Sequence, residues 1–248
     1  MNKNGLAVVI LHYGSPELTE RIHRQLLRSD PDWSGDIFVL DNAAPKGYPQ
    51  AWERSSTNLH WAGALEYCLR KFSAQGYSHL WFLNNDIYFI QEKDIISRAW
   101  QRLQFARRTW GRVGVYSPAV HRNPYHPQMV CRPEAEFSLV RYVDGIAPLV
   151  AMDFWKQANG VQFEDNPYGY GVDIWFTSRA LELGWRVMVD HRIVLRHIYH
   201  STAGCIEGYL DTAAAAEDRY LKKRMGGDYR DQIREMAQDS RIIGASDL

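Results

Sequence analysis

Cysteine is scarce in this chain: Cys68, Cys131 and Cys205 are the only three in 248 residues. They are odd in number and far apart, which excludes a disulfide framework and any paired-cysteine zinc spacing, and fits a reducing compartment. Long apolar runs are missing too. The longest, Leu6 to Leu11, is far short of the roughly 20 residues a spanning helix needs, and it lacks a cleavage region of the signal-peptide kind. The expectation is a cytoplasmic protein, at most peripheral at the inner face of a membrane. Nor is there an excess of either charge, since 29 basic residues balance 29 acidic ones. That leaves no cationic field for nucleic acid, so an anionic ligand would need a metal, local charge or helix N-termini. Repeats, low-complexity segments and a clear linker are absent as well.

What the chain does have is apolar material in short blocks. Hydrophobic residues make up 46%, enough for the core of one large domain. Leu6–Leu11 reads as a strand buried on both faces. Ser15 and Pro16 then offer a cap and a first-turn proline, and Leu18, Ile22 and Leu26 follow at helical spacing. A second strand over 36–40 ends in Asp41-Asn42, and residues 43–58, with Pro45, Gly47 and Pro49, read as a loop. Leu65, Cys68, Leu69 and Phe72 predict a helix from Ala62 that stops at Gly76. A strand over 79–83, a helix marked by Ile95, Ile96, Ala99, Trp100 and Leu103, and a strand over 113–117 closed by Pro118 come next. This alternation predicts a mostly parallel sheet flanked by helices.

Residues 119–150 change character, being rich in Pro, His and Arg, with strand-like pieces such as 137–143. A short helix over 153–159, a break at Gly169-Tyr170-Gly171 and a helix over 174–183 follow, with Gly184 as its stop. Two strands, 185–189 and 193–197, come after it. From about Glu207 the chain reads as helices interrupted at Gly226-Gly227. The reading is an α/β fold with one domain over 1–204 and a helical extension over 205–248 packed on it.

Four polar residues stand where these patterns stop: Asp41, Asp86 and His197 at strand ends, and Asp173 at a helix start. Strand carboxyl ends line the ligand crevice of an open α/β sheet. Asp86 is the most telling, because a mostly apolar run, His79 to Leu83, empties into Asn84-Asn85-Asp86. A carboxylate so placed can hold a divalent cation, and the cation a diphosphate. Each residue also has a plain structural reading. Asp41 and Asp86 suit turns, Asp173 suits an N-cap, and His197 suits a satisfied polar residue, with His191 and His200 as neighbouring rivals.

Taken in order, these segments resemble inverting nucleotide-sugar glycosyltransferases of the GT-A fold (Rossmann-like), of the family 2 and rhamnosyltransferase-like kind, from about Leu6 to Thr202. The matching pieces are Val39-Leu40-Asp41-Asn42, Asn58-Leu59-His60-Trp61-Ala62-Gly63-Ala64, the variant D-x-D motif Leu83-Asn84-Asn85-Asp86, Gly171-Val172-Asp173 with Arg179 and Gly184-Trp185, and His197-Ile198-Tyr199-His200-Ser201. Three positions depart from the pattern. His60 replaces a glycine, Val172 replaces a glutamate, and Asn84 leaves the metal motif with one carboxylate.

The resemblance implies transfer of a hexose or deoxyhexose from a UDP- or dTDP-sugar to a saccharide or lipid-linked acceptor, as in polysaccharide assembly. It implies Mn²⁺ or Mg²⁺ on Asp86, with His197 as second ligand, and Asp173 as general base. Tyr13, Asp41, Asn85 and Asp86 would face the nucleotide donor. Asp144, Tyr168, Tyr170 and Trp175 would face the acceptor or sugar, with Asp144 the rival base. A sugar nucleotidyltransferase is disfavoured because His12 to Glu17 carries no Lys or Arg to cradle a triphosphate. A non-catalytic nucleotide- or glycan-binding protein is the remaining alternative, kept open by Val172 and the single-carboxylate motif.

Overall fold

The computed structural model describes residues 5–199 and 208–247; His200, Ser201 and Cys205 lie outside the described residues. One sheet organises the fold. Its first half is a parallel set built from β1 (Leu6–His12), β2 (Ile37–Asp41), β3 (Glu53–Arg54) and β4 (His79–Asn84), in the order β3-β2-β1-β4. All seven residues of β1 are buried, as a continuous apolar run requires of a strand covered on both faces. The covering helices are α1 (Pro16–Ser29), α2 (His60–Ala74) and α3 (Ile95–Trp110).

The second half is mixed. The strands β6 (Val113–Val120) and β9 (Arg186–His197) run parallel to each other, while β8 (Leu149–Ala151) is antiparallel to both β4 and β6. That makes β6 and β9 co-directional with β4, so His12, Asp41, Asn84 and His197 all end strands at the same edge. Beyond β9 lie β7 (Ala135–Val140) and β10 (Arg241–Gly244), each antiparallel to its inner neighbour. The sheet is largely parallel and helix-flanked, as the alternation predicted.

Three local expectations are corrected. The run ending at Asp86 is not a simple strand end: after a tight turn the chain resumes as β5 (Ile87–Phe89), which pairs with β9. Pro118 does not close its strand; β6 continues through it to Val120. The two strands expected over 185–197 are one, with a register jump in which Pro118 faces Asp190 and Ala119 faces Val194. Asp190 holds this bulge. It is fully buried and accepts hydrogen bonds from Arg102 Nε (2.6 Å), the Tyr116 hydroxyl (2.5 Å) and the backbone N–H of Arg192 (2.8 Å).

The remaining helices are α4 (Met152–Gln157), α5 (Val172–Glu182), α6 (Tyr209–Met225) and α7 (Tyr229–Gln238). Tyr220, Leu221 and Tyr229 of the last two belong to the same hydrophobic core as the sheet. Among the described residues no helix is long and apolar enough to cross a membrane.

Candidate active site

The donor-side expectations fall at the carboxyl edge of the parallel half. Register puts His12 opposite Asp41 and Leu11 opposite Asn84, so the ends of β1, β2 and β4 are level. Asp41 is 1% exposed. One of its oxygens accepts from the N–H of Ala44 (2.9 Å), the other from the N–H of Tyr48 (3.1 Å) and from Arg54 (2.6 Å). It organises the 43–54 loop. Asn85 is also turned inward, and its amide donates to the Tyr13 carbonyl (3.1 Å) and the Thr19 hydroxyl (2.9 Å), tying the turn after β4 to the end of β1.

Asp86 and His197 come together through the β5–β9 pairing. Ile87 lies opposite His197, and the N–H of Ile198 donates to the Asp86 carbonyl at 2.9 Å. Their side chains face each other, His197 Nε2 to Asp86 Oδ1, at 3.1 Å, with 11% and 14% exposure. The other ring nitrogen, Nδ1, is buried without a hydrogen-bond partner among the described residues, and the ring packs on Tyr199 at 4.2 Å. Two donors at one spot, a carboxylate and an imidazole, fit the partial ligand set of a cation that takes its other ligands from water and phosphate. No group of three or more such side chains occurs among the described residues. His191 is not a competitor. It is buried in the bulge, hydrogen-bonded with Ser138 (2.7 Å) and accepting from the Arg132 N–H (3.2 Å).

Asp173 is not an N-cap. The cap of α5 is Gly171, in the left-handed region, and Asp173 sits in the first turn. Its Oδ2 accepts from the N–H of Gly145 (2.8 Å) and its Oδ1 from the N–H of Ile174 (2.9 Å). The Gly145 contact ties it to the end of β4, because the next residue, Ile146, accepts from the N–H of Asn84 at 3.0 Å. Gly145 is needed for this approach, since a Cβ there would lie 2.8 Å from the Trp61 ring. Asp173 keeps some accessible surface, yet protein atoms crowd it. Burial, then repulsion from Asp144, pushes its carboxyl well above the usual carboxylate range, against the two N–H bonds that favour the charged form; Glu217 adds to the rise.

Of the acceptor-side residues, Tyr170 is drawn in most clearly. Burial raises its hydroxyl's pKa, and the charges of Glu217, Asp173 and Asp86 raise it further. Asp144 accepts from Asn123 (3.0 Å), with His126 at 3.9 Å. Tyr168 packs against His60 (5.2 Å, tilted) and edge-on against Tyr209 (5.6 Å). Trp175 is a different matter. Two residues on along a helix is about 200° of rotation, and its ring lies 5.8 Å from the Arg179 guanidinium on the same helix, away from Asp173.

Concavity alone does not locate this chemistry. A hollow of about 600 Å³ along α1, lined by Glu17, Glu20, Arg21 and Arg24, contains none of these residues. A smaller one, about 350 Å³, has His197 and Tyr199 in its wall beside Arg122 and Arg196. The residues that sequence reasoning missed are Trp61, Asn123, Tyr199, Tyr209 and Glu217. The last two come from the tail, where no local pattern signals proximity to residues 168–173.

No family model matches the chain. It is similar to an uncharacterised protein of Mycobacterium tuberculosis, 27% identical over 238 residues, covering 89% of this chain and 85% of the relative. Among solved structures it is similar to the mannosyltransferase PcManGT from Pyrobaculum calidifontis, in complex with GDP-Man and Mn²⁺ (TM-score 0.60, 12% identity, 88% of this chain and 64% of that one). It is also similar to GalNAc-T7 with UDP, GalNAc and Mn²⁺ (TM-score 0.58, 11% identity, 94% and 54%). The chain thus spans little more than half of one of these solved chains and just under two thirds of the other. At such identities the likeness shows the fold, and the fold is that of the GT-A glycosyltransferases.

Proposed function

We propose that this chain is an inverting, metal-assisted glycosyltransferase that moves a sugar from a UDP- or dTDP-sugar to a saccharide or lipid-linked acceptor, working in the cytoplasm or at the inner face of a membrane. One observation carries the reading: the Asp173 carboxylate is bonded to Gly145, next to the segment that pairs with the end of β4, where Asp86 faces His197. This chain of contacts supports a base and a metal pair that serve one region.

Asp86 and His197 would hold Mn²⁺ or Mg²⁺, and such a cation neutralises the charge that develops on a departing diphosphate. The protein's own part is positional and basic. Asp173, held by two N–H groups, takes the acceptor hydroxyl's proton as that oxygen bonds to the anomeric carbon and the bond to the diphosphate oxygen breaks. A single displacement inverts the centre. Burial and Asp144 make Asp173 a stronger base than a solvated aspartate, which suits proton abstraction near neutral pH. Tyr13 would lie along the nucleotide, and Tyr168 and Tyr170 along the sugar. Asp41 and Asn85 support this site through the loop and turn they hold.

The test is a titration of UDP and dTDP, with and without Mn²⁺, into wild type, Asp86→Ala and Asp173→Asn, followed by donor turnover. The reading requires metal-linked binding in wild type and Asp173→Asn, its weakening in Asp86→Ala, and turnover that Asp173→Asn loses. Metal-linked binding with no turnover by the wild type on any donor would favour a non-catalytic binding protein.

A further inference from the structure

The tail reaches the site, and it brings an acid. The helix α6 lies directly on the start of α5: a Cβ on Gly171 would meet Leu221 Cδ1 at 2.9 Å and Glu217 Cγ at 3.1 Å. Gly171 has φ +76°, so both its backbone and its neighbours demand glycine there. The contact is clamped along its length. The Tyr220 hydroxyl donates to the Gln162 carbonyl (2.9 Å), and Arg224 donates to the same carbonyl (3.0 Å) and to Asp165 (2.9 Å). At its first residue Tyr209 closes on Tyr168 and His60.

Glu217 is the residue this packing leaves unexplained. It is half-buried, and no hydrogen bond or ion pair to it occurs among the described residues. The nearby cation Arg230 is engaged by Asp218 at 2.8 Å. The Glu217 Cγ packs over Gly171, two residues before Asp173, and the charge of Glu217 adds to the rise at both Tyr170 and Asp173. A half-buried carboxylate that no protein group engages keeps its acceptor capacity for water or a ligand. The surroundings say which ligand. Asp144, Asp173 and Glu217 together repel a phosphate or a carboxylate, whereas a carboxylate beside half-buried aromatic rings suits an uncharged sugar, hydroxyls to the acid and C–H face to the rings.

We infer that Glu217 is an acceptor-specificity residue, its carboxylate accepting hydrogen bonds from hydroxyls of a neutral pyranose whose neighbouring hydroxyl faces Asp173. This rests on the transferase reading above and extends it. The acceptor end is a sugar, and the C-terminal helix selects it.

The experiment uses the full chain loaded with UDP and Mn²⁺. Saturation-transfer NMR is run against methyl glycosides of glucose, galactose, mannose and rhamnose, for wild type, Glu217→Gln and Glu217→Ala. At least one glycoside is expected to bind wild type and to bind both variants roughly tenfold or more weakly, the loss of a charge-assisted hydrogen bond. UDP affinity should stay unchanged in all three proteins, which also reports that the variants are folded. A wild type that binds none of the glycosides, or variants that bind them as wild type does, overturns the inference while leaving the transferase reading in place. Failure of both UDP and dTDP to bind wild type in the presence of Mn²⁺ overturns both.

Discussion

Asp41 and Asp173 are two carboxylates of one fold, each closely packed, with opposite surroundings. Asp41, at the end of β2, meets two N–H groups and a guanidinium. Asp173, on α5, meets two N–H groups as well, but its charged neighbours are Asp144 and Glu217. The same contrast runs through the two halves of the sheet. In the parallel half, Asp41, Asn85 and His12 at the strand carboxyl ends are satisfied by the chain itself, His12 bonding Thr19 and the Lys46 carbonyl. In the mixed half, His197 Nδ1 is buried without a partner among the described residues, and half-buried Glu217 takes no hydrogen bond or ion pair from them. A satisfied polar group builds structure. One left short of partners, in a place that is otherwise well packed, is held ready for something else.

The contrast can be broken at its strongest point first. Asp173→Asn should lower turnover by about 10²–10⁴, the range of a lost general base, with UDP affinity retained in titration. Asp41→Ala should do the reverse kind of damage, with about 2–3 kcal/mol less stability in urea unfolding, because three donors lose their acceptor. If Asp41→Ala left stability intact while abolishing UDP binding, the division between the two halves would be wrong. His197→Ala, on the functional side, should weaken Mn²⁺-dependent UDP binding by about 10–100-fold with little change in metal-free binding.

The smallest effects concern pH. Activity that needs ionised Asp173 should rise with pH through its elevated pKa, and Glu217→Gln should move that rise to lower pH by removing a neighbouring negative charge. Stability should run the other way. Between the ordinary aspartate value of about 4 and the raised folded value, the native state keeps a proton that the unfolded chain releases. This contribution to stability is full at low pH and lost as pH rises through the folded pKa. Thermal denaturation of wild type and Asp173→Ala across pH 4–9 tests the sign, the variant being flatter over that window.

Much of this was legible in the residues. Leu6–Leu11 and His79–Leu83 are too uniformly apolar to be anything but strands covered on both faces, and Gly76 and Gly184 stop their helices as their backbone freedom predicts. The pairing of Asp86 with His197 was readable only as a motif, 111 positions apart in sequence. The misreadings have physical causes. Pro118 ends a strand only where its missing N–H is needed, and at a register jump it is not. Trp175 is two residues from Asp173 along the chain, and helical rotation turns it to another face of α5.

The sequence by itself determined most strands and helices of the parallel half, and which edge of the sheet would carry polar residues, because burial periodicity and glycine stops act over a few residues. Only the tertiary structure decided which of those polar residues are spent and which are spare. That depends on donors and charges arriving from elsewhere: Arg54 on Asp41, Asp144 and Gly145 on Asp173, and Glu217 from a tail helix whose place over Gly171 no local pattern encodes. Electrostatic environment is a property of assembled neighbours, and the chain acquires it only when folded.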